Sequence, residues 1–444
     1  MAKFLNKLTV PQIIVIAYIL LISIGTFLLA LPISTTSRLG TPFIDAFFMA
    51  TSAVSVTGVT ILDTATHWTF FGKLVLLFLI EIGGLGFLTI WVLLYYAILG
   101  RPNLKQRLAV SESLNLVPGE NISKRIWYII RFALIVQIIS AILLYFPFRV
   151  ELNFFDSIFY ALFHSVSAFT NGGLDLFEAG FIQFQSHPYV LIVIMLLIMT
   201  GGLGFIVWDD LLNYRKTKSL HIYTKVVLIT TGILWVGGML LYWIAEHDNG
   251  TFGHLPPSQQ FVNYLMLSVT ARSSGFANVD YSILNPGSLL LTNFLIFIGA
   301  SSGSTGGGIK VSTLAIIVLV IFRSFQGKKA TVFHRRIAQD TVQRAFFIFT
   351  SAIFFIIIGS FALSLTETLP EGLGIEYIVT EVVAALGVVG ISLGLTSHLT
   401  FLGKIIIIIL MLIGRVGVMT FLWSIVGEKR ETGINHPEVN LLIG

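Results

Sequence analysis

Four glycines, Gly58, Gly173, Gly275 and Gly390, each close a short apolar stretch: FIDAFFMATSAVSVTGVT (43–60), SVSAFTNGG (165–173), SVTARSSG (268–275) and EVVAALGVVG (381–390). A helix needs roughly twenty residues to cross a bilayer, and the first stretch has only about fourteen before its polar turn, so each is expected to enter the membrane and turn back. Backbone beyond such a turn leaves carbonyls unpaired at membrane depth, which is tolerated only beside a water-filled path. Carbonyl oxygens converging on an axis are ligands for a dehydrated alkali cation. Glycine takes backbone angles closed to other residues, so successive carbonyls can face inward, and each short helix aims the negative end of its dipole at the axis. The expected carbonyl donors are Val56, Thr57 and Gly58; Asn171, Gly172 and Gly173; Ser273, Ser274 and Gly275; Val388, Val389 and Gly390. Singly, each glycine reads as a turn. The matched quartet argues for a ring closed within one chain.

The elements that must position these turns are apolar spans. Of 444 residues, 55% are hydrophobic and 11% charged, and mean hydropathy is +0.90. Such a composition excludes an ordinary soluble globule and implies an all-α polytopic membrane protein. With no cysteine, neither disulfides nor thiolate metal sites are available. Spans are expected near 11–31, 70–99, 126–147, 188–212, 225–245, 288–322, 345–366 and 401–426. The first lacks a small-residue cleavage site and reads as a retained span, not a signal peptide. One short stretch falls inside each successive pair, giving four parallel repeats: 1–100, 101–215 with a preceding linker, 216–325 and 326–426, then a tail over 427–444. The second spans echo one another in IGGLG (82–86), TGGLG (200–204), IGASS (298–302) and IGRVG (413–417). Their aligned glycines, Gly83, Gly201, Gly299 and Gly414, follow the four turn glycines by 25, 28, 24 and 24 residues. Close helix packing alone accounts for small residues there.

Charge gives the orientation. Of 27 cations, 19 fall on the segments that would share a side with the termini, among them Lys3, Lys7, Arg101, Lys105, Arg215, Lys328 and Arg430; both termini are therefore expected in the cytoplasm. The opposite side carries five cations, Arg38, Lys73, Arg149, Arg272 and Lys404. It also carries the acids Asp45, Asp63, Glu151, Asp156, Asp175, Glu178, Glu246, Asp248, Asp280, Glu367, Glu371, Glu376 and Glu381. A mouth of that sign would concentrate cations, although acids also simply solvate loops.

VSVTG, SAFTNGG, ARSSGF and GVVGISLG, set in a fourfold span, loop, span pattern over roughly 11–426, resemble the Trk/Ktr/HKT potassium transporters, and within them the membrane subunits of the KtrB branch. The resemblance implies K⁺ uptake with Gly58, Gly173, Gly275 and Gly390 as filter glycines, leaving open Na⁺ as activator or co-ion. No organic cofactor is expected in the chain. TVGYG, the signature of tetrameric K⁺ channels, is absent, so a less constrained filter is expected.

Two features fall below the filter. The third repeat's second span is interrupted by SSGSTGGGIK, comprising Ser301, Ser302, Gly303, Ser304, Thr305, Gly306, Gly307, Gly308, Ile309 and Lys310. Its glycines and serines disfavour helix, and Ile309 between Gly308 and Lys310 breaks the phosphate-loop pattern. A flexible break there can act as a gate, with 299–310 as the gating loop; a packing kink is the plainer reading. The resemblance also implies an intramembrane loop that moves on opening. Arg415 stands where the other spans have Gly84, Gly202 and Ala300. A charge there must face a cavity or a partner: it either projects into the pore as a barrier to cations or pairs with Glu81.

Nine histidines show no metal-ligand spacing, His164 reads as a helix-packing residue, and no enzyme chemistry is visible. The basic segments 101–124 and 323–344 suit anionic lipid or a docked soluble protein. The resemblance implies a homodimer on a cytosolic nucleotide-binding ring of KtrA type. The rival reading, an alternating-access Na⁺-coupled solute symporter, requires inverted repeats. A scaffold without transport would leave the four glycines no joint purpose.

Overall fold

The computed structural model describes residues 8–86, 122–369 and 373–426, the side chains of 122–126 excepted. The expectations for 1–7, for the first repeat's second span beyond 86, for the basic linker over 101–121, for the side chains of Lys124 and Arg125, for Glu371 and for the tail 427–444 lie outside the described residues.

Among the described residues, four helices are each long and apolar enough to cross a membrane: α1 (Val10–Ala30), α4 (Ile122–Glu151), α8 (Ile222–Glu246) and α12 (Gln339–Thr366). Capping defines how they start. Thr9 and Gln12 form a reciprocal capping box ahead of α1, with Pro11 in the first turn where its missing N–H costs nothing. Large apolar side chains such as Phe27, Ile142, Ile233 and Phe361 point outward, as lipid-facing positions do.

The short stretches form α2 (Phe43–Ser55), α5 (Phe154–Thr170), α9 (Pro257–Ser273) and α13 (Ile375–Gly387). The 13 residues of α2, at 1.5 Å each, are too short to span. The helices that follow them are α3 (Phe70–Leu85), α6 (Pro188–Leu203), α10 (Pro286–Phe297) and α14 (Phe401–Val416). Each of these packs against its own short helix and also against the next: α3 on α2 and α5, α6 on α5 and α9, α10 on α9 and α13, and α14 on α13 and α2. The sequence closes on itself. The Lys404–Asp45 ion pair at 2.7 Å ties α14 to the first turn of α2 across that closure.

The expected continuous spans over 188–212 and 401–426 are instead bent pairs. Helix α6 turns by 95° into α7 (Phe205–Thr217), and α14 by 103° into α15 (Val418–Val426). The bends fall at Gly204 and Gly417, with φ of 90° and 93°, a region that side chains disfavour. The span over 288–322 is also broken: α10 and α11 (Val311–Phe325) flank an irregular segment. Beyond α11 a two-residue hairpin, β1 (Thr331–Val332) with β2 (Arg335–Arg336), is a small exception to the all-helical reading.

Candidate ion-conduction site

The C-terminal turns of the four short helices are fully buried and end in matching caps. Val56, Asn171 and Val388, each two residues before the turn glycine, adopt left-handed backbone angles with φ of 63°, 63° and 59°. Left-handed valine is a strained choice costing on the order of 1–3 kcal/mol, and it persists only where the surroundings enforce it. The enforcing bonds run backward across five residues: Thr57 N–H to Ser52 O (2.8 Å), Gly172 N–H to Ser167 O (2.6 Å) and Val389 N–H to Ala384 O (3.0 Å). The third cap is slipped by one residue. There Ser273 remains helical, and Gly275 itself donates to Thr270 O at 3.2 Å.

These caps bring the four glycines together in cyclic order. A methyl added to Gly58 would strike the Gly172 carbonyl oxygen and Gly173 Cα; on Gly173 it would strike Ser274 O, on Gly275 the main chain of Gly390, and on Gly390 that of Gly58. Among the described residues, no hydrogen bond ends on the carbonyls of Thr57, Gly58, Gly172, Gly173, Ser274, Gly275, Val389 or Gly390. All but the half-buried Gly390 are buried residues. Buried carbonyls are rarely left without a partner, so a ring of them is chemically suited to a cation.

The aligned glycines of the second spans serve close approach. Gly83, Gly201 and Gly414 sit against the carbonyls of Val54, Phe169 and Leu386, in each case four residues before the turn glycine. Gly299 is different. It packs against Gly307, so the interrupting segment is wedged where the other units have helix on helix.

That segment, residues 298–310, is ordered by specific bonds. Ile298 and Ile309 form a parallel bridge. Ser301 N–H and Thr305 N–H donate to the carbonyls of Gly202 (3.1 Å) and Gly201 (3.3 Å), and Phe205 N–H donates to Gly303 O at 2.9 Å. Tyr223 Oη donates to Ser302 O at 2.9 Å. Ser304 Oγ donates to Ser301 O at 2.7 Å. Lys310 Nζ donates back to Gly306 O at 2.8 Å and to Gly307 O at 3.3 Å, and Gly308 takes φ of 69°. Directly above, Asn171 Nδ2 donates to Thr305 Oγ1 at 2.7 Å, Thr305 Oγ1 donates to Phe169 O at 3.0 Å, and Ser273 Oγ donates to Asn171 Oδ1 at 3.3 Å. No sequence signal announced that the Asn171 side chain would join two turns to the segment below them.

Arg415 donates to the carbonyls of Thr305 and Gly83, and to Gly84 O at 3.1 Å. Its partners are main-chain oxygens. Glu81, the acid that the sequence offers as a partner, accepts instead from Gln137 Nε2 at 2.8 Å. Below the glycine ring lies a cavity of about 600 Å³, with Lys310, Arg415, Gly84, Gly306 and Arg344 on its wall.

Several charges expected to be exposed at the outer mouth are buried instead. Arg272 is 3% exposed, in the last turn of α9, where it donates to Gly299 O at 3.2 Å and stacks over Trp235. A cation at a helix C-terminus complements the dipole, a role that counting charges could not anticipate. Glu246, Glu367 and Glu381 are buried and hydrogen-bonded. Glu246 accepts from Asn249, Thr251 and Asn285, and Glu367 accepts from the Thr400 N–H and hydroxyl. Asp175 does lie in the loop after the second turn, half-buried, and accepts the Phe177 N–H at 3.2 Å. Burial, reinforced by Asp63, pushes its carboxyl up to about 7 against the weaker pull of that N–H. His164 is buried and stacked on Phe177, with ring centroids 4.9 Å apart.

With this geometry in view, the chain's likenesses become informative. The family described as TrkH, cation transport protein, matches residues 6–428. The potassium/sodium uptake protein NtpJ of Enterococcus hirae is 40% identical over 99% of this chain and 98% of its own length. The Ktr system potassium uptake protein B of Bacillus subtilis is 37% identical over 99% and 97%. The crystal structure of the potassium transporter TrkH from Vibrio parahaemolyticus superposes with a TM-score of 0.72 at 19% identity, covering 93% of this chain and 83% of that one; at that identity the likeness concerns the fold.

Proposed function

The chain belongs to the TrkH family of cation transport proteins, and from that premise we propose that it carries K⁺ into the cell across the cytoplasmic membrane. The ions pass through a filter of main-chain carbonyls contributed by 56–58, 171–173, 273–275 and 388–390. The observation that carries this reading is the ring of largely buried carbonyls around Gly58, Gly173, Gly275 and Gly390 that accept no hydrogen bond among the described residues. Such oxygens replace part of an ion's hydration shell. The names of the relatives favour potassium as the ion, and that of NtpJ leaves room for sodium as activator or co-ion.

Residues 299–310 act as the gate in this reading, and Arg415 as a fixed positive charge below the filter. Support comes from their position against the second and third turns and from the carbonyls that Arg415 joins. Both termini are cytoplasmic, and the protein works as a homodimer on a cytosolic nucleotide-binding ring of KtrA type; the relative named as part of a Ktr system supports a second subunit. The test is growth of a K⁺-uptake-deficient host on low K⁺, comparing the natural chain with Gly→Ser at each of the four positions. Each substitution is expected to abolish growth or to lower K⁺ preference over Na⁺. Four silent substitutions would sink the filter assignment.

A further inference from the structure

One position recurs nine residues before each turn glycine: Met49, His164, Met266 and Glu381. All four are fully buried in the short helices, yet two are apolar and two are polar. The polar pair reaches forward to the chain that leaves the turn. His164 Nε2 accepts the Leu176 N–H at 3.2 Å while Nδ1 faces Tyr160 O at 2.7 Å. A backbone N–H and a carbonyl as partners require the neutral tautomer protonated on Nδ1. Glu381 accepts from Ser392 Oγ at 2.8 Å and from Thr396 Oγ1 at 2.5 Å. Leu176 lies three residues beyond Gly173, and Ser392 two beyond Gly390.

The cyclic order of the glycines puts the second and fourth turns opposite each other. The main chain on the helix side of each turn is fixed by its cap, but the orientation of the glycine carbonyl depends on both flanking segments. On the outgoing side, His164 ties the second quarter together with Ser167, whose Oγ donates to Leu174 O at 2.7 Å, and Glu381 ties the opposite one. The third quarter uses other devices, Thr270 Oγ1 donating to Phe276 O at 2.9 Å and Asn278 Nδ2 donating to Asn263 Oδ1 at 2.9 Å.

We propose that His164 and Glu381 are positioning residues for ion selectivity, each holding the outgoing strand of one of two opposite filter quarters. The inference rests on the filter reading above. Neither side chain touches the ion path; each acts through the backbone that it fixes.

The chain supplies its own substitution, because methionine already occupies this position in the first and third short helices. His164→Met, Glu381→Met and the double variant are made in the full chain and expressed in the K⁺-uptake-deficient host. Membrane abundance is measured together with the Na⁺ concentration needed to halve K⁺ uptake. At unchanged abundance, each Met variant is expected to lower the preference for K⁺ over Na⁺ on the order of tenfold, as loss of one or two buried hydrogen bonds would. His164→Gln, whose side-chain oxygen can again accept the Leu176 N–H, should restore most of it. Gly390→Ser is the control. Unchanged preference in the Met variants, with Gly390→Ser altered, overturns the proposal alone; if Gly390→Ser is silent too, the filter reading falls and this inference with it. Should the Met variants fail to accumulate, Ser392→Ala carries the test, because it removes one donor to Glu381 from the outgoing strand without touching the short helix, and an unaltered preference there counts against the proposal.

Discussion

Arg415 donates to the main-chain carbonyl of Thr305, and with the same guanidinium to Gly83 and Gly84 on the opposite wall. It therefore pins the middle of the interrupting segment to the first second-span helix, α3. Hydrogen bonds to a charged donor contribute about 1.5–3 kcal/mol each, and 1.4 kcal/mol is a factor of ten. Arg415→Ala is expected to raise cation flux by roughly ten- to a hundredfold, by removing both the clasp and the positive charge. The check is K⁺ influx normalised to membrane abundance; unchanged flux with poor accumulation would make Arg415 a folding residue only.

Thr305 is the second clasp. Its hydroxyl donates to Phe169 O and accepts from Asn171, so Thr305→Val would strand a buried amide, at a cost of about 1–3 kcal/mol. Thr305→Ser keeps both bonds. Ion leak through the purified chain in liposomes should rise in the valine variant and stay at the natural level in the serine one.

Glycines are predicted to divide by what their missing Cβ would meet. At Gly201 it would fall on the Phe169 carbonyl, with Thr305 Oγ1 at 2.8 Å, whereas at Gly237, within α8, nothing lies within 4 Å. Gly201→Ala should push α6 away from α5 and cut uptake severely. Gly237→Ala should leave uptake intact and raise the thermal unfolding midpoint in detergent, since alanine is favoured over glycine inside a helix by up to about 1 kcal/mol.

External pH should matter through Asp175. With its carboxyl pushed up to about 7, it is neutral in mildly acidic medium and charged in mildly alkaline medium, so attraction of cations to the mouth grows as pH rises through that value. K⁺ uptake at limiting K⁺ should increase between about pH 6 and 8 in the natural chain. The increase should be reduced in Asp175→Asn, and high salt should screen it. An identical profile in both proteins would remove Asp175 from the entrance.

Much of this protein is determined by local sequence. Hydropathy fixes the long helices α1, α4, α8 and α12, because their length and apolarity need no partner to be legible. The brevity of 43–55 and its three counterparts likewise requires helices that turn back, and the recurrence of Gly58, Gly173, Gly275 and Gly390 marks the turns. What lay out of reach depends on groups far apart in the chain. Gly204 and Gly417 read as packing residues until a backbone with positive φ turns them into bends. Glu381 and Arg272 count as surface charges until their helices place them at the centre, where hydrogen bonds replace water. The choice between Glu81 and main-chain carbonyls for Arg415 was never written in spacing, because Thr305 and Gly83 meet it only when the four quarters close into a ring.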